Sequence, residues 1–376
     1  MMALELIKGN VAVAETALRV GLVSYFGYPI TPQTELLEHL AARMPELGRT
    51  FVQAESELGA INMVYGAACT GMRTMTSSSS PGVSLMQEGI SYIAGTELPT
   101  VVVNVVRGGP GLGNIAPSQA DYTQMVHGGG HGEYHLIVLA PASVQEAVDL
   151  TALAFDLAEK YRMVVCLLMD GYLGQMMEPV ELPPFVPIRT EAPSWAVGAN
   201  HDEGTRSVLT SININPAMQE IFNVKMMTRW QQIEDGEVRY KGYYLDDAEY
   251  VVVGYGTAGR IALTAVRAAR EKGIKIGLIR PITVSPFPTK VLDQLVPGKK
   301  GFLVVEMNNG QMLDDVSAIV AKRVPIHFYG RMGGMVPYPD EIGTAIDEMI
   351  QSDHDVNRDA RGIWLAKMRE LVGTGA

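Results

Sequence analysis

Glu55 and Glu57 stand in the run Gln53-Ala54-Glu55-Ser56-Glu57-Leu58-Gly59, at the junction of a predicted strand and helix. Apolar residues follow Glu57, so the pattern buries or half-buries its carboxylate, and a buried carboxylate needs a partner. The plainer role is an acid favoured by the dipole at a helix N-terminus. Arg107 closes the run Val101–Val106. An arginine at the carboxyl end of a buried strand invites a bidentate anion; a local ion pair, for example to Asp121, is the alternative. Ser77–Ser80, before Pro81-Gly82, and the glycine-rich loop Arg107–Asn114 can each cradle a phosphate on backbone amides or serve only as turns.

Three further patterns have chemical readings. Gly254-Tyr-Gly-Thr-Ala-Gly259 matches GxGxxG between a predicted strand and helix. The acid expected at the end of the next strand is missing, because that strand ends Leu278-Ile279-Arg280-Pro281. An NAD(P) site with Arg280 on a 2′-phosphate competes there with a turn that lets helix and strand pack closely. His127, His131 and His135 lie in a glycine-rich tract that reads as a loop rather than a metal site. Gly-x-Ser-x-Gly does not occur, which removes the usual nucleophile elbow.

These residues need elements to hold them. Strand and helix patterns alternate through the first 175 or so residues, as expected of a doubly wound α/β domain. Its functional loops should then lie at the carboxyl ends of the strands. Asn10 reads as a cap for a helix over Val11–Val20, and Thr31-Pro32 as an N-cap and first helical position. Glu57–Cys69, apolar on nearly all sides, reads as a buried helix. The expected division is a first domain over 1–178, a Pro-rich linker and arm over 179–248 with a helix near Ala217–Gln232, and a second α/β domain over 249–376.

The chain has 376 residues and a formal net charge of −11, which argues against a nucleic-acid surface. Its apolar runs are too short to span a bilayer. Its N-terminus lacks a signal-peptide pattern. With two cysteines it cannot hold a four-thiolate iron–sulfur cluster alone, and a reduced cytoplasmic setting is expected.

Taken together, Tyr28-Pro-Ile-Thr-Pro32, Glu55-Ser-Glu-Leu-Gly59, Ser77-Ser-Ser-Ser-Pro-Gly82, Arg107-Gly-Gly-Pro110 and Val305-Glu-Met-Asn-Asn-Gly-Gln311 resemble the 2-oxoacid:ferredoxin oxidoreductases. The match is with the alpha-type subunit bearing the pyrimidine domain for thiamine diphosphate. FGYPITPQTE and GGGHGEY point to the 2-oxoisovalerate branch. The resemblance implies a pyrimidine-type domain followed by a transketolase C-terminal-like α/β domain. Glu57 then matches the carboxylate that bonds N1′ of the aminopyrimidine. Tyr28, Pro29, Thr31 and Ser80 meet the cofactor, and Thr31, Arg107 and Leu112 meet the substrate. The implied reaction is oxidative decarboxylation of a 2-oxoacid to acyl-CoA and CO2, with electrons passed to ferredoxin. Alternatives are the same chemistry on 2-oxoglutarate or an aryl oxoacid, an NAD(P)-binding dehydrogenase subunit, or a non-catalytic scaffold.

The residues add a separate point. A diphosphate domain would carry Gly-Asp-Gly and a later Asn for Mg2+, but Asp170-Gly171 lacks the leading glycine. Mg2+ and the iron–sulfur clusters are therefore expected on partner subunits, with the site formed between chains. The resemblance implies a diphosphate-domain subunit, a gamma-type subunit and a ferredoxin-like subunit, assembled as a dimer of heteromers. Leu112 replaces a hydroxyl-bearing residue of many relatives, which favours a branched aliphatic substrate.

Overall fold

The computed structural model describes residues 4–199 and 207–373. Two mostly parallel sheets organise the chain. The larger runs, edge to edge, Thr283–Ser285, Ile137–Leu139, Val164–Asp170, Thr100–Val106, Thr74–Ser78, Ser24–Gly27 and Thr50–Gln53. Its centre, Thr100–Val106 beside Val164–Asp170, is buried at every position. Such a run has no polar face because helices cover both sides of a parallel sheet. Gly9–Arg19, Thr34–Glu46 and Val144–Tyr161 pack together around one apolar cluster. Glu57–Ala68 and Ser80–Gly95 pack on each other, with their apolar residues in another.

The smaller sheet runs Ile326–Gly330, Gly301–Glu306, Tyr250–Val253, Ile276–Pro281 and Tyr240–Tyr243. The two halves do not meet as loose bodies. Thr283–Ser285 leaves the second half and pairs antiparallel with Ile137–Leu139 at the edge of the first sheet. One apolar cluster continues from Ile61 and Ile90 through Tyr122 and Tyr255 to Phe302 and Trp364. The Tyr122 and Tyr255 rings lie 5.5 Å apart across the junction.

Several local expectations change. Asn10 does not cap the first helix, which starts at Gly9 after Lys8. It is buried, and its Nδ2 donates to the Pro32 carbonyl (2.7 Å) and to Glu35 Oε2 (3.0 Å). Thr31-Pro32 is a cis bond in the turn, and the helix begins two residues later at Thr34. Glu57–Ala68 is not buried all round, since Leu58, Asn62 and Met63 face out. Within the stretch read as an arm, Pro216–Gly236 is a helix burying only Trp230 and Ile233, and Tyr240–Tyr243 joins the second sheet. Glu5–Lys8 pairs antiparallel with Met177–Val180, a ribbon with no local signal. Among the described residues no helix is long and apolar enough to cross a membrane.

Candidate active-site rim

The neighbouring strands Ser24–Gly27, Thr74–Ser78 and Thr100–Val106 are parallel, so their following loops share one rim. Glu57 enters that rim from the start of its helix. Ser56 caps the helix, accepting from the Gly59 amide at 3.1 Å, which fixes where Glu57 begins. Glu57 is buried at 5% exposure, while Glu55 is exposed. Its carboxylate lies against Gly82 and Ser78. A Cβ on Gly82 would overlap Glu57 Oε1 and Ser78 Oγ, with Glu57 Cδ 2.9 Å away. Among the described residues the Glu57 carboxylate takes no hydrogen bond and no ion pair. The hydroxyls of Ser78 and Ser79 are also buried without partners. Two buried hydroxyls left unmatched next to an unpaired acid are costly in a finished protein core. They suit a polar ligand seated there, and the carboxylate can share a proton with a ring nitrogen.

Arg107 lies at the end of its strand, 7% exposed. Its Nη1 donates to the Thr31 carbonyl and its Nη2 to the Leu112 carbonyl, both at 2.9 Å. Its Nε has no acceptor. The local ion pair allowed by the sequence does not form. Asp121 instead accepts from Asn104 Nδ2 at 2.9 Å. Burial raises the Asp121 pKa, against hydrogen bonds from Asn104 and Ser80 and the charge of Arg107. Ser80 accepts from the Arg107 amide at 3.1 Å and so ties the serine loop to the arginine loop. Thr31, Ser80, Arg107 and Leu112 thus form one connected cluster, beside the Glu57 seat. Tyr28 and Pro29 are exposed on the same turn as Thr31, and the Leu112 side chain is 82% exposed.

The rim of the second sheet is different. Gly254 and Gly259 pack tightly, and a Cβ on Gly254 would stand 3.1 Å from Gly259 Cα. Gln119, from the first half, donates to the Tyr255 carbonyl at 2.9 Å and lies against Gly256. Arg280 is 3% exposed and bonded to Glu146 Oε1 at 2.6 Å. The glycine turn is a packing feature with its mouth filled by protein, and the nicotinamide alternative has no seat there.

The other motifs disperse. His127 bonds Asp315 at 3.2 Å, His135 stacks on Trp230, and the His131 carbonyl accepts from Ser91. Among the described residues no group of three His, Cys, Asp or Glu side chains is placed to hold a metal. Asp170 Oδ1 accepts from the Tyr172 and Leu173 amides and acts as a helix cap. Sequence patterns missed Gln33, which holds the Tyr28 turn, and Gln119. Both are single amides whose partners are distant or backbone, so neither role leaves a motif.

Residues 15–237 match the family model described as pyruvate flavodoxin/ferredoxin oxidoreductase, thiamine diphosphate-binding, and residues 248–342 match pyruvate:ferredoxin oxidoreductase core domain II. The ketoisovalerate oxidoreductase subunit VorB of Methanothermobacter thermautotrophicus is 50% identical over 89% of this chain and 94% of its own length. The 2-oxoglutarate synthase subunit KorA of Methanocaldococcus jannaschii is 37% identical over 92% of this chain and all (100%) of its own. A solved 2-oxoglutarate:ferredoxin oxidoreductase from Magnetococcus marinus superposes with a TM-score of 0.85 at 27% identity. That match covers 93% of this chain and 66% of the other. The chain belongs to the 2-oxoacid:ferredoxin oxidoreductases, as an alpha-type subunit carrying their thiamine-diphosphate-binding domain.

Proposed function

We propose that this chain supplies the pyrimidine half of a thiamine diphosphate site that a partner subunit completes. The enzyme oxidatively decarboxylates 2-oxoisovalerate to an acyl-CoA and CO2 and passes two electrons to ferredoxin. The observation that carries this reading is Glu57, a buried residue on the rim whose carboxylate has no partner among the described residues. The 50% identity to a ketoisovalerate oxidoreductase subunit supports the branched substrate. Residues 1–178 then form the pyrimidine domain, 179–248 the linker and arm, and 249–376 the second domain.

When bound, thiamine diphosphate supplies a carbon nucleophile and an electron sink. This chain's residues act around it. Glu57 would hold the pyrimidine ring nitrogen of the bound cofactor and share a proton with it, the general acid–base role its place on the rim allows. Ser78 offers a hydroxyl beside the Glu57 carboxylate, and Ser79 a second buried one on the same loop. Tyr28, Pro29, Thr31 and Ser80 line the approach to the ring. Arg107, in contact with no carboxylate among the described residues, would hold the substrate carboxylate. Leu112, on the loop that Arg107 anchors, is placed to meet an aliphatic side chain. Asp170 is a buried helix cap in a run that lacks the leading glycine of a diphosphate motif, so Mg2+ would be held by partner subunits, as would the iron–sulfur clusters, which two cysteines cannot bind. Those partners are a diphosphate-domain subunit, a gamma-type subunit and a ferredoxin-like subunit, assembled as a dimer of heteromers, with CoA as co-substrate.

The test is the co-purified complex, assayed for CoA-dependent viologen reduction with 2-oxoisovalerate and 2-oxoglutarate in parallel. Faster turnover of 2-oxoisovalerate, lowered by about 10²–10⁴-fold in Glu57→Gln, is expected, the range that general acid–base groups contribute. Wild-type turnover in Glu57→Gln would leave a scaffold role. A preference for 2-oxoglutarate would keep the chemistry and discard the substrate.

A further inference from the structure

Arg107 is aimed through the Thr31 carbonyl, and that carbonyl sits on a turn that other residues hold. The turn Gly27–Pro32 is gripped at two points by buried side-chain amides that do not contact Arg107. Gln33 is fully buried. Its Nε2 donates to the Tyr28 carbonyl at 3.2 Å, and its Oε1 accepts from Ser77 Oγ at 2.8 Å. Ser77 is the donor in that bond, so its oxygen accepts from the Tyr25 hydroxyl at 2.7 Å. Burial pushes the Tyr25 pKa up and keeps it a donor. At the far end Asn10 holds the Pro32 carbonyl at 2.7 Å. Between these grips the Thr31 carbonyl meets Arg107 Nη1.

We infer that Gln33 is a positioning residue for substrate binding, holding the Tyr28–Thr31 turn so that the Arg107 guanidinium is kept in the plane and place that meet the substrate carboxylate. The hydrogen bonds run in one direction, from Tyr25 through Ser77 to Gln33 and on to the turn. An amide at position 33 both accepts from Ser77 and donates to a carbonyl, which an apolar side chain there would not do. A guanidinium fork recognises a carboxylate by a fixed plane, so a small drift of the turn misaligns it without removing charge. The glutamine lies two residues beyond Thr31, inside the Phe26–Glu35 run that carries the resemblance.

This inference rests on the reading of Arg107 as the group that holds the substrate carboxylate. The test is a double-mutant cycle in the co-purified complex, with Gln33→Leu, Arg107→Lys and their combination, reading KM and kcat for 2-oxoisovalerate. Gln33→Leu raises KM by about tenfold, the worth of one hydrogen bond, with kcat within about twofold. In the Arg107→Lys background the same change adds less than about twofold, because its route to substrate is already cut. Unchanged KM in Arg107→Lys defeats the reading of Arg107. A raised KM there, with wild-type KM in Gln33→Leu or equal losses in both backgrounds, overturns the positioning role alone. If Gln33→Leu does not assemble, Ser77→Ala decides. It leaves the glutamine in place with an unmatched oxygen and raises KM by about threefold; a wild-type KM there overturns the inference.

Discussion

The two sheets present the same kind of rim, glycine turns and helix starts beyond the carboxyl ends of parallel strands, and put them to opposite uses. On the first, Glu57, Ser78 Oγ, Ser79 Oγ and Arg107 Nε are buried or half-closed and unmatched. On the second, the acids and amides are spent. Glu306 accepts from the Met312 and Leu313 amides at 2.9 Å each. Asn308 donates to the Gln119 carbonyl and accepts from the Gly310 amide. A rim position in an α/β fold is therefore not a site by itself. Arg280 Nη1 and Arg331 Nε on the second are also buried without an acceptor, but each of those arginines is paired with a carboxylate, Glu146 at 2.6 Å and Glu341 at 2.7 Å. What separates the two rims is whether their charged groups are paired among the described residues.

The sharpest way to break that contrast exchanges one arginine for alanine on each rim. Arg107→Ala should lower kcat/KM by about 10²–10³-fold, as truncating a buried charge contact does, measured on complex that remains folded. Arg280→Ala should do the reverse. It leaves the half-buried Glu146 with only the Ala142 amide and the exposed Lys241 as partners, costing about 3 kcal/mol of stability by denaturant titration, with turnover per folded complex kept. Equal effects on activity would erase the distinction.

Glu306 gives the next largest effect. Burial pushes its pKa from 4.5 to about 7, in spite of its hydrogen bonds. The folded state thus holds a proton that the unfolded state has released between pH 4.5 and about 7. Stability is full below that window and falls as pH rises through it, by about 3 kcal/mol in all. Melting temperatures across this range should decline in the wild type and flatten in Glu306→Gln. Gln119 follows. Its amide bonds the Tyr255 carbonyl and the Met307 amide at 2.9 Å, and its backbone bonds Met307 and Asn308 as well. Gln119→Ala removes only the side-chain bonds and should cost about 2 kcal/mol, seen as a lower denaturation midpoint.

Much of the first rim was legible because burial and chain position coincide there. The apolar run after Glu57, set against the exposed Glu55, predicts which acid is enclosed. The β-branched run before Arg107 predicts a central strand. The rest depended on contacts that local patterns do not carry. An asparagine before an apolar run is an ordinary cap signal, yet Asn10 is drawn into its helix by the Pro32 carbonyl of another loop. Thr31-Pro32 has the residue types of a helix start, but its carbonyl is claimed by Arg107. Thr283–Ser285 pairs with Ile137–Leu139 of the first half, so no window of sequence contains both. The outward faces of Leu58 and Met63 read as buried because composition does not say which chain does the burying.

Leu112 tests the edge of the first rim and should give the smallest effect. Its carbonyl, not its side chain, holds Arg107, and the side chain is 82% exposed. Leu112→Thr should therefore leave stability within about 0.5 kcal/mol. It should change the ratio of kcat/KM for 2-oxoisovalerate over 2-oxoglutarate by less than about tenfold, since a few methyl groups are worth little in discrimination. A ratio that falls ties the side chain to the substrate. An unchanged ratio limits this loop's part in the rim to the backbone carbonyl, and the choice of oxoacid then lies with other residues around the completed site.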